Sequence, residues 1–286
     1  MANRGALPTR SAIGRSTTAL EDGEPMICVS EGSTWLSNFE PASVDVVYTD
    51  PPFRTGRIQS RGDFAYDDSL TIGQYTEFVA NLINSCVKSL RPGGALWFHC
   101  DDSADWLIRS ELEKVQSITF QNAVVWNYYN KISNASKRFA GAHDALFLYS
   151  KRGGAFRFTP QVEQRESPVK MLRRKSEAGK IVNAKDENGR CQYIERTTRG
   201  VNDVWRIPAL QPASREWLGY PTQKPLALLE RVVLCTSAPG DLIIDPTCGS
   251  GTTLAAAKRL GRRWAGADLS SAAVEMATAR LESIIE

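Results

Sequence analysis

The sequence lacks any run near the roughly 20 apolar residues that would span a bilayer, which argues against a membrane-crossing helix. Its six cysteines (Cys28, Cys86, Cys100, Cys191, Cys235 and Cys248) contain no C-x-x-C pair and no zinc-like spacing, so neither a disulfide framework nor a structural metal is expected. Histidine is scarce too: His99 and His143 stand apart without a third ligand, the pattern of structural histidines rather than of a metal site. Residues 1–24 hold Arg4, Arg10 and Arg15 among Ser, Thr and Gly without the apolar core of a secretory signal, and are expected to form a flexible leader. These features together fit a reducing cytoplasm. What is present is an ordinary globular composition of 286 residues, 42% hydrophobic and 23% charged, long enough to bury a full core as one large α/β domain or as a domain carrying one insertion.

The formal net charge is only +3, but it is unevenly spread. The window 151–200 holds 13 Lys and Arg against 6 Asp and Glu, a net of +7, leaving 22 basic and 26 acidic residues, a net of −4, elsewhere. A polyanionic partner fits the basic segment, and so does a merely solvated insertion.

Short β-branched and apolar runs alternate with helical patterns, the signature of a parallel sheet covered by helices. Strands are expected at 26–30, 44–49, 95–100, 123–128, 145–149, 242–244 and 264–267. Between them Tyr75, Phe78, Val79, Leu82, Ile83, Val87 and Leu90 recur at three- and four-residue steps, an amphipathic helix stopped by Pro92-Gly93-Gly94. Further helices are expected from Thr252 to Gly261, from a Ser270 or Ser271 cap through Ile284, and over 226–234 behind Pro225. Residues from Lys151 to about Tyr220 break the alternation, being polar, basic and rich in Gly and Pro; they are too long for a loop and are expected to form an inserted subdomain. Phe156, Phe158, Tyr193, Trp205 and Trp217 are expected to supply its small core, with stacking on bases as the alternative.

Two motifs carry chemistry. Residues 241–253, DLIIDPTCGSGTT, read as a strand, a glycine turn and a helix start. Gly249 and Gly251 let the backbone approach a ligand, and the helix start offers free N–H groups. Asp268, at the end of the next strand, can accept both hydroxyls of a ribose, so together they describe a nucleoside-binding crevice. No lysine follows the glycines, which excludes a Walker-type phosphate loop. The second motif is Asp50-Pro51-Pro52-Phe53, at the end of the strand 44–49. Two prolines fix a rigid extended exit, presenting the Asp50 carboxylate and the Pro51 carbonyl side by side. Both are acceptors, suited to an exocyclic amine, with Phe53 a surface for a planar base. Taken alone, the tetrad is as well explained by an ordinary proline turn.

The combination resembles the S-adenosylmethionine-dependent DNA amino-methyltransferases of the permuted β class, in which the tetrad precedes the glycine motif. The markers are DPPF at 50–53, LRPGGALWFHCD at 90–101, HDALFLYSK at 143–151, DVWRIP at 203–208, GYPTQKP at 219–225, DPTCGSGTT at 245–253 and GRRWAGADLS at 261–270, covering nearly all of 26–286. Thr247 stands where the family commonly has Phe, and Ser30-Glu31-Gly32 where a Gly-Asp pair is usual. The resemblance implies a doubly wound, mostly parallel seven-stranded sheet with one antiparallel strand, of the Rossmann-like methyltransferase fold. It divides the chain into a catalytic half at 25–150, a basic target-recognition insertion at 151–218 and a cofactor half at 219–286.

It also implies the roles of residues. A flipped base would offer its amino group to Asp50 and Pro51 while stacking on Phe53 behind Pro52. S-adenosylmethionine would be held by Asp245, Pro246, Thr247, Cys248, Gly249, Ser250, Gly251 and Thr252 around its methionine, by Asp268 and Leu269 at its ribose, and by Lys224 at its carboxylate. Arg54, Arg57 and Arg61 beside the tetrad, and Arg173, Arg174 and Lys175 in the insertion, are candidates for DNA phosphates, with solvation the alternative. Double-stranded DNA is the implied substrate and a homodimer the usual assembly, in a bacterial or phage-like, nucleoid-associated setting; a cognate restriction endonuclease is left open. Asp at the first tetrad position favours adenine N6 over the cytosine 4-amino group. The absence of any Pro-Cys pair disfavours carbon-5 methylation, and a non-catalytic DNA-binding module on the same scaffold is the reading from another class.

Overall fold

A computed structural model describes residues 26–52, 58–61, 64–67, 70–131, 136–137 and 139–284. The expected leader, Phe53, Arg54 and Arg57 lie outside the described residues. The chain runs β1 (Met26–Val29), α1 (Gly32–Leu36), β2 (Val44–Thr49), β3 (Ile58–Arg61), β4 (Phe64–Asp67), α2 (Ile72–Ser89) and β5 (Leu90–Cys100). It continues through α3 (Asp105–Lys114), β6 (Ile118–Asn127), β7 (His143–Lys151), β8 (Val162–Leu172), β9 (Arg174–Glu177), β10 (Lys180–Asn183), β11 (Tyr193–Gly200) and β12 (Val204–Arg206). It ends with α4 (Leu226–Thr236), β13 (Leu242–Asp245), α5 (Thr252–Arg259), β14 (Arg263–Asp268) and α6 (Ser271–Glu282).

The central sheet has the order β1-β14-β13-β2-β5-β7-β6-β12, with β7 antiparallel to both its neighbours and every other pairing parallel. It has eight strands rather than the seven expected, because Val204–Arg206 returns from the insertion and pairs with β6 at the edge. The buried, β-branched run of β2 explains its central position: strands covered on both faces read as nearly continuous apolar runs. Helix α2 is fixed at its start by a reciprocal cap between Thr71 and Gln74, and turns Tyr75, Val79, Leu82, Ile83 and Cys86 inward. Helices α1, α2 and α3 cover one face of the sheet; α4 and α5 cover the other through Leu228, Leu229, Val232, Val233, Ala256 and Ala257.

The insertion departs from expectation. Strands β8 and β11 form an antiparallel ribbon, with the β9–β10 hairpin beyond it, and of residues 162–200 only Ala184 is buried. A two-stranded ribbon has solvent on both faces and encloses nothing, so the aromatic core assigned to this segment does not form. Tyr193 and Phe158 are exposed, whereas Trp205 is buried against Trp97 of the main core at 5.8 Å between ring centroids.

Candidate active site

The pairing of β2 with β13, Val46 opposite Ile243 and Val47 opposite Ile244, brings the ends of two distant segments together. Asp50 follows one strand and Asp245 ends the other, at the carboxyl edge where open α/β sheets bind ligands. Between them lies a crevice of about 680 Å³. Its walls include Asp50, Pro51, Pro52, Lys224, Asp245, Pro246, Thr247, Cys248, Gly249, Ser250, Thr252, Asp268 and Leu269. The structure thus gathers nearly all the catalytic and cofactor residues singled out above, though, among the described residues, none of the candidates for DNA phosphates.

Asp50 is held from its backbone. Its N–H donates to Thr247 Oγ1 at 2.9 Å; that hydroxyl also meets Thr49 Oγ1 at 3.1 Å and Asp245 Oδ1 at 3.3 Å. The tetrad and the glycine turn are therefore tied by the residue that departs from the family pattern. Next along the chain, Tyr75 of α2 donates its hydroxyl to the Pro52 carbonyl at 2.8 Å. At the side chain, Asp50 Oδ2 accepts from the Lys224 ammonium, while Oδ1 is buried and has no hydrogen-bond partner among the described residues. Native structures rarely leave a buried carboxylate oxygen unmatched, and this one belongs to a residue of the crevice wall.

On the cofactor side, Asp268 ends β14 and accepts the Gly249 N–H on Oδ2 and the Ser270 N–H on Oδ1, both at 2.9 Å. Burial raises its pKa despite these bonds. Each oxygen keeps a second lone pair, as a ribose diol requires. Asp245 is buried, and desolvation pushes its carboxyl up to about 7 against bonds from Thr253 and Thr247. Gly249 has φ +49°, and a Cβ there would sit 2.9 Å from the Tyr220 ring.

Some expectations need adjustment. Gly251 does not line the crevice; its φ of +71° and the 2.7 Å that would separate a Cβ from Ala277 show that it lets α6 pack against the turn. Thr252 lines the crevice, yet its hydroxyl bonds the Lys224 carbonyl and Arg280, a tie between elements. Lys224, expected at a carboxylate of the ligand, lines the crevice and is paired with Asp50. Glu31 caps α1 through Ser33 and Thr34. Arg173, Arg174 and Lys175 are exposed at the far end of the insertion ribbon, away from the crevice wall, and Arg61 ends β3. His99, which sequence reasoning left as structural, has Nδ1 3.8 Å from Asp50 Oδ1, and Asp144, which it did not single out, has Oδ2 3.2 Å from His99 Nε2.

A doubly wound sheet with a crevice at its carboxyl edge, walled by a glycine turn and by Asp50, Asp245 and Asp268, is a scaffold of the nucleotide-binding kind. A family model described as DNA methylase, for the N6 and N4 amino enzymes, matches residues 44–279, and the chain belongs to that family. It is 29% identical over 261 residues to the type II methyltransferase M.HpaI of Haemophilus parainfluenzae, covering 90% of this chain and 74% of that protein. The DNA adenine methyltransferase YhdJ of Escherichia coli K12 is 26% identical over 247 residues, covering 86% and 79%. Among solved structures, M1.HpyAVI in complex with SAM superposes with a TM-score of 0.60 at 19% identity, covering 90% of this chain and 99% of that one, a likeness of fold.

Proposed function

We propose that this DNA methyltransferase moves a methyl group from S-adenosylmethionine to the N6 amino group of adenine in double-stranded DNA, after the base has swung out of the helix. The observation that carries the reading is Asp50 itself, whose buried Oδ1 has no hydrogen-bond partner among the described residues and which stands in the wall of the crevice that also holds Asp268 and the glycine turn.

The residues present fit the cofactor: Asp268 retains acceptors for its ribose, Cys248, Gly249 and Ser250 curve around the crevice, and Lys224 is a cation for its carboxylate. When bound, S-adenosylmethionine supplies an electrophilic methyl group on a sulfonium. Asp50 Oδ1 and the Pro51 carbonyl accept the two amino hydrogens of the base, which turns the nitrogen lone pair out of ring conjugation. Phe53 stacks on the base. The work of the protein is orientation and electrostatic placement, with no covalent enzyme intermediate. The amine gains a carbon and loses a proton, which Asp50 accepts or passes to water.

Asp50 at the head of the tetrad and the likeness to an adenine methyltransferase support adenine. The cytosine 4-amino group is the second reading, since the same acceptors would hold it and the family covers both targets. The exposed ribbon carrying Arg173, Arg174 and Lys175, with Arg54, Arg57 and Arg61 near the tetrad, is our candidate DNA surface, and 151–218 our target-recognition segment. A homodimer and a bacterial nucleoid setting are what the resemblance implies, and a cognate nuclease is left open. Expression in a methylation-free host followed by modification-sensitive sequencing tests the reading: N6-methyladenine at one recurring sequence is expected. Unmodified DNA from folded, cofactor-binding protein would overturn it, and 4-methylcytosine would replace the target.

A further inference from the structure

Behind Asp50 a chain of hydrogen bonds crosses four strands. Tyr48 of β2, two residues before Asp50, lines the crevice and places its Oη 2.6 Å from His99 Nδ1 on β5. The His99 ring is fully buried, and its Nε2 lies 3.2 Å from Asp144 Oδ2 on β7. The other oxygen of Asp144 accepts the Tyr128 hydroxyl at 3.0 Å, just past the end of β6. Tyr48 Oη and Asp50 Oδ1 thus flank the same ring nitrogen, at 2.6 and 3.8 Å.

This arrangement raises a question of proton placement. The imidazole lies 3.8 Å from a buried carboxylate oxygen and would be expected to donate to it, yet that oxygen has no hydrogen-bond partner among the described residues. Asp144 supplies the reason. Its Oδ2 lies 3.2 Å from His99 Nε2 and its Oδ1 accepts the Tyr128 hydroxyl at 3.0 Å, so both carboxylate oxygens face groups that can donate to them. As an ionised acceptor, Asp144 requires a proton on His99 Nε2. A neutral imidazole then has only a lone pair at Nδ1, and that lone pair takes the Tyr48 hydroxyl proton. Burial, followed by the charges of Asp50, Asp245 and Asp144, lifts the Tyr48 pKa far above its usual value, so the hydroxyl has its proton to give.

We propose that Asp144, His99 and Tyr48 are positioning residues that commit their protons away from Asp50, keeping its Oδ1 open as the acceptor for the target amino group. The inference rests on the methyltransferase reading for its purpose, but its physical content, the tautomer of His99, does not. Without the His99 acceptor, the Tyr48 hydroxyl is released to bond Asp50 Oδ1, which neighbours the same ring nitrogen, and so occupies the lone pair that the amine needs.

The protein has two histidines, so ring nitrogen-15 spectra of labelled protein are simple, and the signal surviving His143→Gln belongs to His99. The expected spectrum shows a neutral ring with Nε2 protonated and Nδ1 bare. Turnover is then followed with methyl-labelled S-adenosylmethionine and DNA from a methylation-free host. His99→Phe, of similar volume, should slow single-turnover methylation by about tenfold or more, the scale of one lost hydrogen bond to a charged group, with cofactor affinity held within about twofold. Adding Tyr48→Phe removes the intruding hydroxyl and should restore most of that loss, a rescue that a purely structural role would not produce. A ring protonated at Nδ1 would overturn the proposal whether or not His99→Phe folds. So would a His99→Phe protein at wild-type rate, or a double variant no faster than His99→Phe. A wild-type protein that methylates no DNA while showing the expected tautomer would instead sink the function and leave the proton arrangement standing.

Discussion

The ammonium of Lys224 bonds the Asp50 carboxylate across 174 residues of sequence, joining the segment before α4 to the end of β2. Both side chains are largely buried, at 9% and 14% exposure, so each charge depends on the other. The pair divides the two oxygens of Asp50 between a fixed cation and an open position.

Asp50→Ala therefore has a separable signature. Turnover should fall by at least about 10² to 10³-fold, the scale seen when one preorganised electrostatic contact is removed. Cofactor affinity measured by titration should stay within a fewfold, and the melting temperature should drop because Lys224 is left buried without its counterion. Lys224→Met should differ in losing cofactor affinity together with turnover, since Lys224 lines the same crevice. An Asp50→Ala protein that turns over normally would remove Asp50 from the reaction.

Thr247 gives a second prediction. Its hydroxyl accepts the Asp50 N–H, contacts Thr49 and reaches Asp245, so it sets where the tetrad stands against the glycine turn. Thr247→Val keeps the shape and deletes the hydroxyl. It should cost about 1 to 2 kcal/mol of stability in denaturant unfolding, from an N–H left without a partner, and lower kcat more than it raises the cofactor KM. Thr247→Ser should behave as wild type.

These residues show where the sequence is readable and where it is not. DPPF and DPTCGSGTT are contiguous strings whose backbone demands, a proline exit and a glycine turn, are local, so both halves of the site are legible. Their meeting was not visible from local pattern, because it depends on β2 pairing with β13. The Lys224 and Asp50 contact and the approach of His99 to Asp144 depend likewise on how separate segments pack and on the antiparallel register that sets His99 opposite Leu146. Thr247 reads in sequence only as a departure from the family's Phe; the geometry reveals the polar tie it makes. The insertion misled for another reason: its aromatic residues suggested a core, but burial depends on a second layer that the ribbon does not have.

Asp245 supplies a pH signature. Burial raises its carboxyl to about 7 in the folded protein from an ordinary value of 3.8, so between those values the folded protein holds a proton that the unfolded chain releases. Stability from this group is therefore full below about pH 4 and is lost as pH rises through about 7. Asp245→Asn removes the ionisation while its amide oxygen can still accept the Thr247 N–H, now donated to Oδ1 at 3.0 Å. Near pH 4 the two proteins should have similar unfolding free energies. Above pH 7 the Asn variant should be more stable, on the order of a few kcal/mol at most. A pH-independent difference between them would show that the carboxyl is not raised.

The ribbon yields a prediction about salt. Arg173, Arg174 and Lys175 are exposed at its far end, and none contributes to the crevice wall or to the buried core. Arg173 makes a 3.3 Å bond to Gln192 and Lys175 a 3.5 Å pair with Glu177, contacts that exposed side chains exchange readily for other partners. If the three meet DNA phosphates, each releases condensed counterions on binding, and the slope of log affinity against log salt reports their number at about 0.9 per contact. Replacing all three by Gln should then flatten the slope by about 2 to 3 and weaken DNA binding most at low salt. The melting temperature and cofactor affinity should not change. An unchanged slope would mean that the basic excess of this segment keeps the ribbon soluble and that DNA is gripped elsewhere. Because Gln retains hydrogen-bonding capacity, the comparison isolates charge, and the slope separates phosphate contact from base reading in a way that affinity at one salt concentration would not.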